Sequence, residues 1–422
     1  MQITIAYGRE GLNIELPDNT DVIQSTPMNG LTDEVAAIEE ALRNPVGLPP
    51  LAASVKAGDR VVVTHSDITR PVPNDRILPV LLRELESAGV RREDITLLNA
   101  LGTHRQQTTD ELRMMLGDAI VDNYHCDQHN SFDDANLVSL GHTSLGNPVR
   151  INKKLLEADY RVYTGFIEPH FFAGFSGGPK AVLPALSGSE SVLSNHGREM
   201  IADKRSTWGN IAGNPIWEEM REVALKTMPA FLVNVTINPA HAITGVFAGE
   251  LLQAHEIGRE FIRQNVMVGV DAPYDIIITN NNGYPLDQNL YQTVKGMSAA
   301  SRVLKPGGAI IMCAACVDGL PDHGRYAELL ELGGSPQGVL DMIAQPGFGE
   351  QDQWQVQIQA QIQVNADVYI YSDGLSDSQI NRALLKPCRD IGATINQLLE
   401  KYGPDARICV MPDGPASIAY VK

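Results

Sequence analysis

One recurrence constrains this chain more than any other feature. Short apolar runs rich in Val, Ile and Leu are each followed by a Gly-, Asn-, Asp- or His-rich loop and then by a helical pattern. The runs are RVVVTHSD (60–67), DITLLNALGTHR (94–105), ADYRVYTGF (158–166), YDIIITNNNG (274–283), GGAIIMCA (307–314), ADVYIYSDG (366–374) and ARICVMPDG (406–414). Near-continuous apolar strands alternating with helices predict an α/β fold with mainly parallel sheets buried on both faces. The segment 75–89 has apolar residues at helical spacing, with Gly89 placed to end the helix. Asp287 is placed to cap a helix through Leu290, Val294 and Met297. Residues 231–250 differ, reading as two strands around Asn238-Pro239, an antiparallel hairpin. The Gln-rich stretch 351–364 alternates like a strand yet suits a helix equally.

At roughly 150 residues per domain, 422 residues suggest two or three domains. The break falls at Val266–Pro273, between a helical segment and a fresh strand–helix series, and divides the chain into 1–268 and 269–422. The 33 Lys and Arg against 51 Asp and Glu leave a net charge of −18, which argues against nucleic acid or an anionic membrane as the main partner. No run approaches the 18 or so apolar residues of a membrane span. The N-terminus reads as a polar-interrupted strand rather than a targeting segment. Five cysteines make no disulfide framework and point to a reducing, cytoplasmic setting.

Ligands of open α/β sheets gather where strands end, and several strand ends here carry reactive side chains. Ser66-Asp67-Ile68-Thr69-Arg70-Pro71 puts a carboxylate three residues from a guanidinium, suited to a substrate carboxylate or simply to an ion pair before a turn. Gly102-Thr103-His104-Arg105 hinges a histidine that fits a general base or a solvated loop residue. Glu168 through Lys180 is the most unusual stretch, with His170, three aromatics, Gly174, Ser176, Gly177, Gly178 and Lys180. It is neither a P-loop nor G-x-G-x-x-G, because Gly178-Pro179-Lys180 lacks adjacent Gly-Lys and Ala181 replaces the metal-binding Ser/Thr. Its glycines could bring backbone amides to a phosphate, and its lysine suits covalent attachment. His196 follows a Ser187-x-x-Glu190 capping pattern and offers one ligand to a metal such as Ni, Cu or Zn, with no second ligand nearby in sequence. Tyr291, Gln292 and Lys295 lie at a helix start that favours an anion. Cys313-Ala-Ala-Cys316 lacks a thioredoxin context and reads as two buried, inert thiols, while His125, Cys126 and His129 could bind a metal but read as polar loop.

Together these segments resemble the nickel-dependent lactate racemase family. They occur in its order and spacing, including ten residues from His170 to Lys180 and sixteen from there to His196. The resemblance implies two Rossmann-like domains with the active site in a cleft between them. It also implies nickel in a nickel-pincer nucleotide, a pyridinium-3,5-bisthiocarboxylic acid mononucleotide joined to Lys180, with His196 as the protein's nickel ligand. In that scheme His104 and His170 are paired acid/bases and Arg70, Gln292 and Lys295 bind a 2-hydroxy acid substrate. Asp67 orients Arg70 or touches the nucleotide, while Gly174, Ser176, Gly177, Gly178, Tyr291 and Trp354 line the cofactor. The implied reaction is inversion at C2 through hydride transfer and a 2-keto acid, and the implied partners are the enzymes of cofactor synthesis and nickel insertion. An NAD(P)-dependent dehydrogenase is the competing enzyme class, and it lacks its glycine fingerprint here. A non-catalytic binding module on the same fold would not need a second base.

Overall fold

The computed structural model describes residues 1–321 and 324–422. All seven apolar runs form strands, and contacts divide the chain into two units: Pro27–His196 with Asp203–Asn265, and Met1–Thr26 with Gly197–Ala202 and Val266–Lys422.

The first unit is built on six strands: β1 (Val61–Ser66), β2 (Ile95–Ala100), β3 (His125–Gln128), β4 (Tyr160–Phe166), β5 (Ala230–Ile237) and β6 (Ile243–Gly249). Their order is β6-β5-β4-β1-β2-β3, parallel throughout except for the β5–β6 hairpin, which is the hairpin expected from the sequence. Val61, Val63, Leu97, Val162, Phe166 and Val233 pack against Ile38 and Leu42 of one helix and Leu78, Leu81 and Leu85 of another. That second helix spans Asn74–Ser87, and Gly89 just beyond it has φ of +89°. The chain runs from β1 outward to β3, then returns to the opposite side of β1 as β4. The strand order therefore reverses between β1 and β4, the usual ligand position in such sheets.

The second unit has six parallel strands in the order Lys386–Cys388, Asp367–Tyr371, Leu304–Cys313, Tyr274–Asn280, Ile408–Val410 and Asp21–Val22. The N-terminal residues thus contribute a strand here, and Ile5 and Ile14 of the hairpin Gln2–Ile5/Leu12–Glu15 share a core with Ile276, Ile311 and Val410. A division at residue 268 places these first 26 residues with the other unit, because a linear boundary cannot show an edge strand that returns across the chain. The helix at 290 is capped by Asn289, whose side chain accepts from the Gln292 amide. Asp287 is instead buried, its carboxylate accepting the amides of Gly8 (2.7 Å) and Ala315 (3.0 Å). The Gln-rich stretch resolves as the helix Gln353–Gln363. All five cysteines are free thiols; Cys313 and Cys316 are buried, and burial pushes Cys316 up to about 12. Among the described residues no helix is long and apolar enough to cross a membrane.

Candidate active site

In the first unit, β1 and β2 are parallel neighbours with Ser66 opposite Ala100, so the loops that follow them emerge side by side. One supplies Asp67 and the other His104, and His104 Nδ1 is hydrogen-bonded to the Asp67 carboxylate. The same carboxylate accepts from the Thr69 hydroxyl (2.7 Å) and amide (3.2 Å). Asp67 is 3% exposed and the His104 side chain 39%. Burial alone would raise the Asp67 pKa. The His104 charge, its hydrogen bond and Arg70 outweigh that effect and hold the carboxyl well below its ordinary range. An ionised Asp67 only accepts, so Nδ1–H donates and the other imidazole nitrogen, Nε2, is left to exchange a proton. Arg70 Nη1 donates to the Thr69 hydroxyl (3.0 Å) and acts on Asp67 through charge. The hydrogen bonds of Asp67 join His104 and Thr69, and Thr69 in turn links it to Arg70.

The segment after β4 folds into a tight hairpin with His170 opposite Gly174. Lys180 Nζ lies 3.3 Å from His170 Nε2, and His170 Nδ1 accepts the Ala173 amide at 3.3 Å. Phe172 is the hub, a role not apparent from sequence. Its ring meets His170 edge-on at 4.5 Å and His196 edge-on at 4.8 Å between centroids, and Lys180 Nζ lies 5.7 Å from its centre. Burial, and then the Lys180 charge, lower the His196 pKa to about 3, so its imidazole is neutral at pH 7 and able to bind a metal.

His196 ends the helix Ser189–Asn195, as expected, but the capping pattern fails: Gly188 is the cap, and the Ser187 hydroxyl donates to the Val182 carbonyl (2.8 Å). What secures this helix end is Glu219, buried, which accepts from Asn195 Nδ2 (2.8 Å), the Thr143 hydroxyl (2.7 Å) and Asn147 Nδ2 (2.7 Å).

The glycines before Lys180 answer to the protein's own packing. A Cβ on Gly177 would lie 2.4 Å from Asn234 Oδ1, and one on Gly178 2.6 Å from the His255 ring. The Gly178 amide donates to Asn234 Oδ1 (2.8 Å), His255 Nε2 bonds to the Ser176 carbonyl (2.9 Å), and the Gly174 carbonyl accepts the Gly209 amide (2.9 Å). The Ser176 hydroxyl donates to the Phe166 carbonyl (3.0 Å) and accepts the Glu168 amide (2.9 Å). The expected use of these groups as open phosphate contacts thus gives way, at Ser176 and Gly178, to fixing the course of the loop. Asn234 and His255 carry no local signal, being single polar residues in an apolar strand and an amphipathic helix.

In the second unit, Tyr291, Gln292 and Lys295 occupy the helix Leu290–Ser301, and Trp354 Nε1 donates to the Tyr291 hydroxyl (3.2 Å). Gln355 Nε2 holds the Tyr291 carbonyl at 2.5 Å. Tyr291 and Trp354, far apart in sequence, are therefore brought together within this unit.

No cluster of three or more His, Cys, Asp or Glu suited to a metal occurs among the described residues. His129, expected in a polar loop, is buried and bonded to the Ser187 carbonyl and Asn152. One neutral imidazole and one primary amine around a shared phenyl ring cannot enclose a metal. They do fit a group that is tethered through lysine and brings its remaining metal donors with it.

Models for the lactate racemase N-terminal and C-terminal domains match residues 7–209 and 270–419. A lactate racemase of Thermoanaerobacterium thermosaccharolyticum is 36% identical over 426 residues, spanning 100% of this chain and 99% of that protein. One of Lactiplantibacillus plantarum is 35% identical over 419 residues, covering 98% of each. The structure of the lactate racemase apoprotein from T. thermosaccharolyticum superposes with a TM-score of 0.93 at 35% identity, covering 99% of this chain and 100% of that one. A Thermotoga maritima protein, 19% identical over 94% of this chain and 100% of its own, shares the fold with a TM-score of 0.71.

Proposed function

The chain belongs to the lactate racemase family, an isomerase family, and from that premise we propose that it inverts C2 of lactate or a closely related 2-hydroxy acid by proton-coupled hydride transfer. The observation that carries this reading is the arrangement in the first unit: His104 oriented by buried Asp67, and His170 beside Lys180 and His196 around Phe172.

In this reading Lys180 and His196 hold a nickel-pincer nucleotide, the lysine by a covalent bond and the neutral imidazole as nickel ligand. When bound, that group supplies a hydride-accepting centre. The residues of the chain do the rest. Arg70 holds the substrate carboxylate, its guanidinium positioned by Thr69. His104 takes the hydroxyl proton of one enantiomer at Nε2, its ring and tautomer set by Asp67. His170, beside Lys180, is the second acid/base and serves the other enantiomer. Loss of the proton and of hydride leaves a planar 2-keto acid, and return from the other face inverts the centre. Gln292 and Lys295 bind substrate or the keto oxygen, and Tyr291 and Trp354 line the cofactor. The enzyme works in the cytoplasm and depends on partners that make the nucleotide and insert nickel.

The test is a chiral assay of C2-deuterated lactate and related acids, using protein made with the cofactor-synthesis enzymes. Inversion with deuterium retained at C2, one nickel per chain and added mass on the Lys180 peptide are expected. Deuterium washing out into solvent would mean a carbanion route and would overturn the hydride reading.

A further inference from the structure

Behind the His170 hairpin lies a group of cations that the proposed reaction does not use. Arg259, on the helix Leu251–Val266, is 8% exposed and makes no hydrogen bond or ion pair among the described residues. Its Nε is sealed from solvent without an acceptor, and so is Nε1 of Trp217, itself 7% exposed on the helix Pro215–Leu225. The Arg259 guanidinium carbon sits 5.6 Å from the Trp217 ring centre and 5.9 Å from that of Phe175. One turn on, Arg263 lies 5.4 Å from the same Phe175 ring and donates to the Gly209 carbonyl (2.7 Å).

Two guanidiniums four residues apart on one helix repel each other, and burial strengthens that repulsion. Burial pulls the Arg259 pKa below its ordinary value; the Glu256 and Glu260 charges oppose this and the Arg263 charge adds to it, leaving burial the decisive effect. Ring faces offer the cation a favourable quadrupole, but they supply no lone pair to an N–H in the guanidinium plane. Glu256 and Glu260 reach Arg259 only through charge, and Glu260 lies 3.7 Å from Arg263. Arg259 Nε and Trp217 Nε1 are thus two sealed donors without an acceptor at one arginine–indole contact; a small anion would satisfy such donors and also offset the buried Arg259 charge, which a neutral acceptor would not.

We propose that Arg259, Arg263 and the indole N–H of Trp217 form a binding site for a compact anion, a halide or the carboxylate of a small acid, behind the hairpin that carries His170. Phe175 transmits its occupancy: the ring lies against both guanidiniums, and its backbone pairs with Pro169, next to His170. This site stands apart from the assignment of Lys180 and His196.

The experiment is thermal unfolding of the full chain in a chloride-free buffer, titrated with sodium chloride or sodium acetate. The sodium salt of a bulky sulfonate serves as the ionic-strength control. A saturable rise in Tm of several degrees with either small anion, absent with the sulfonate, is expected; chloride alone responding identifies a halide site. Arg259→Gln should abolish the response. Trp217→Phe, which keeps the ring and loses only the N–H, should raise the half-saturating concentration at least several-fold, and it decides the matter if Arg259→Gln does not fold. Equal responses to all three salts, or an unchanged midpoint in Trp217→Phe, would refute the site.

Discussion

At Asp67, two loops 37 residues apart in sequence become one functional pair, because their strands are parallel neighbours. The carboxylate is held ionised, which fixes the proton on His104 Nδ1 and leaves Nε2 to work. Asp67→Asn keeps the size and removes that bias. Turnover of loaded enzyme is expected to fall by about 10²–10⁴-fold, the range for a mis-set general base, with little change in KM or Tm. A turnover within a few-fold of the parent would mean that Asp67 serves the fold rather than the reaction. The histidine and the aspartate were both visible as candidates in the sequence. Their pairing was not, since it depends on which strand lies beside β1.

At the scale of elements, two short segments carry the candidate site, and both are braced by buried polar residues from elsewhere. The loop before Lys180 rests on Asn234 and His255, with Gly178 at φ +52° and no room for a Cβ. Gly178→Ala should cost about 2 kcal/mol of stability, read by denaturant unfolding, and lower the fraction of Lys180 that carries added mass. The helix ending at His196 is braced by Glu219, whose Oε1 accepts two donors and Oε2 one. An amide can accept on one side only, so Glu219→Gln strands at least one buried donor and should cost about 1–3 kcal/mol. Nickel per chain should fall along with stability; full nickel at reduced stability would detach Glu219 from the His196 site. The strands and the β5–β6 hairpin were legible because strand patterns are local. The cap at Asn289 was misread as Asp287 because burial beside Gly8 and Ala315 draws that carboxylate away from the helix.

At the scale of the whole molecule, three histidines among the described residues that lie outside the proposed reaction are buried and neutral. Burial lowers His65 and His129 to about 4, and burial together with Arg259 lowers His255 to about 3. In the unfolded chain each titrates near 6.5, so between pH 6.5 and about 4 the unfolded state binds more protons. Stability must then fall as pH falls through that window, by about 1.4 kcal/mol per pH unit for each histidine fully engaged. Apoprotein Tm measured from pH 7 to 4 should show this slope above the range where most carboxylates titrate. His129→Gln should remove about one proton from it; an unchanged slope would assign the acid lability elsewhere. The sequence by itself determined which segments become strands and which reactive groups stand at their ends, because both follow from local periodicity and residue chemistry. Only the tertiary structure decided that Asp67 serves His104, that Phe172 gathers His170, Lys180 and His196, and that the first 26 residues complete the distant sheet. Those outcomes depend on strand order, which is settled by burial between segments far apart in the chain and leaves no local trace.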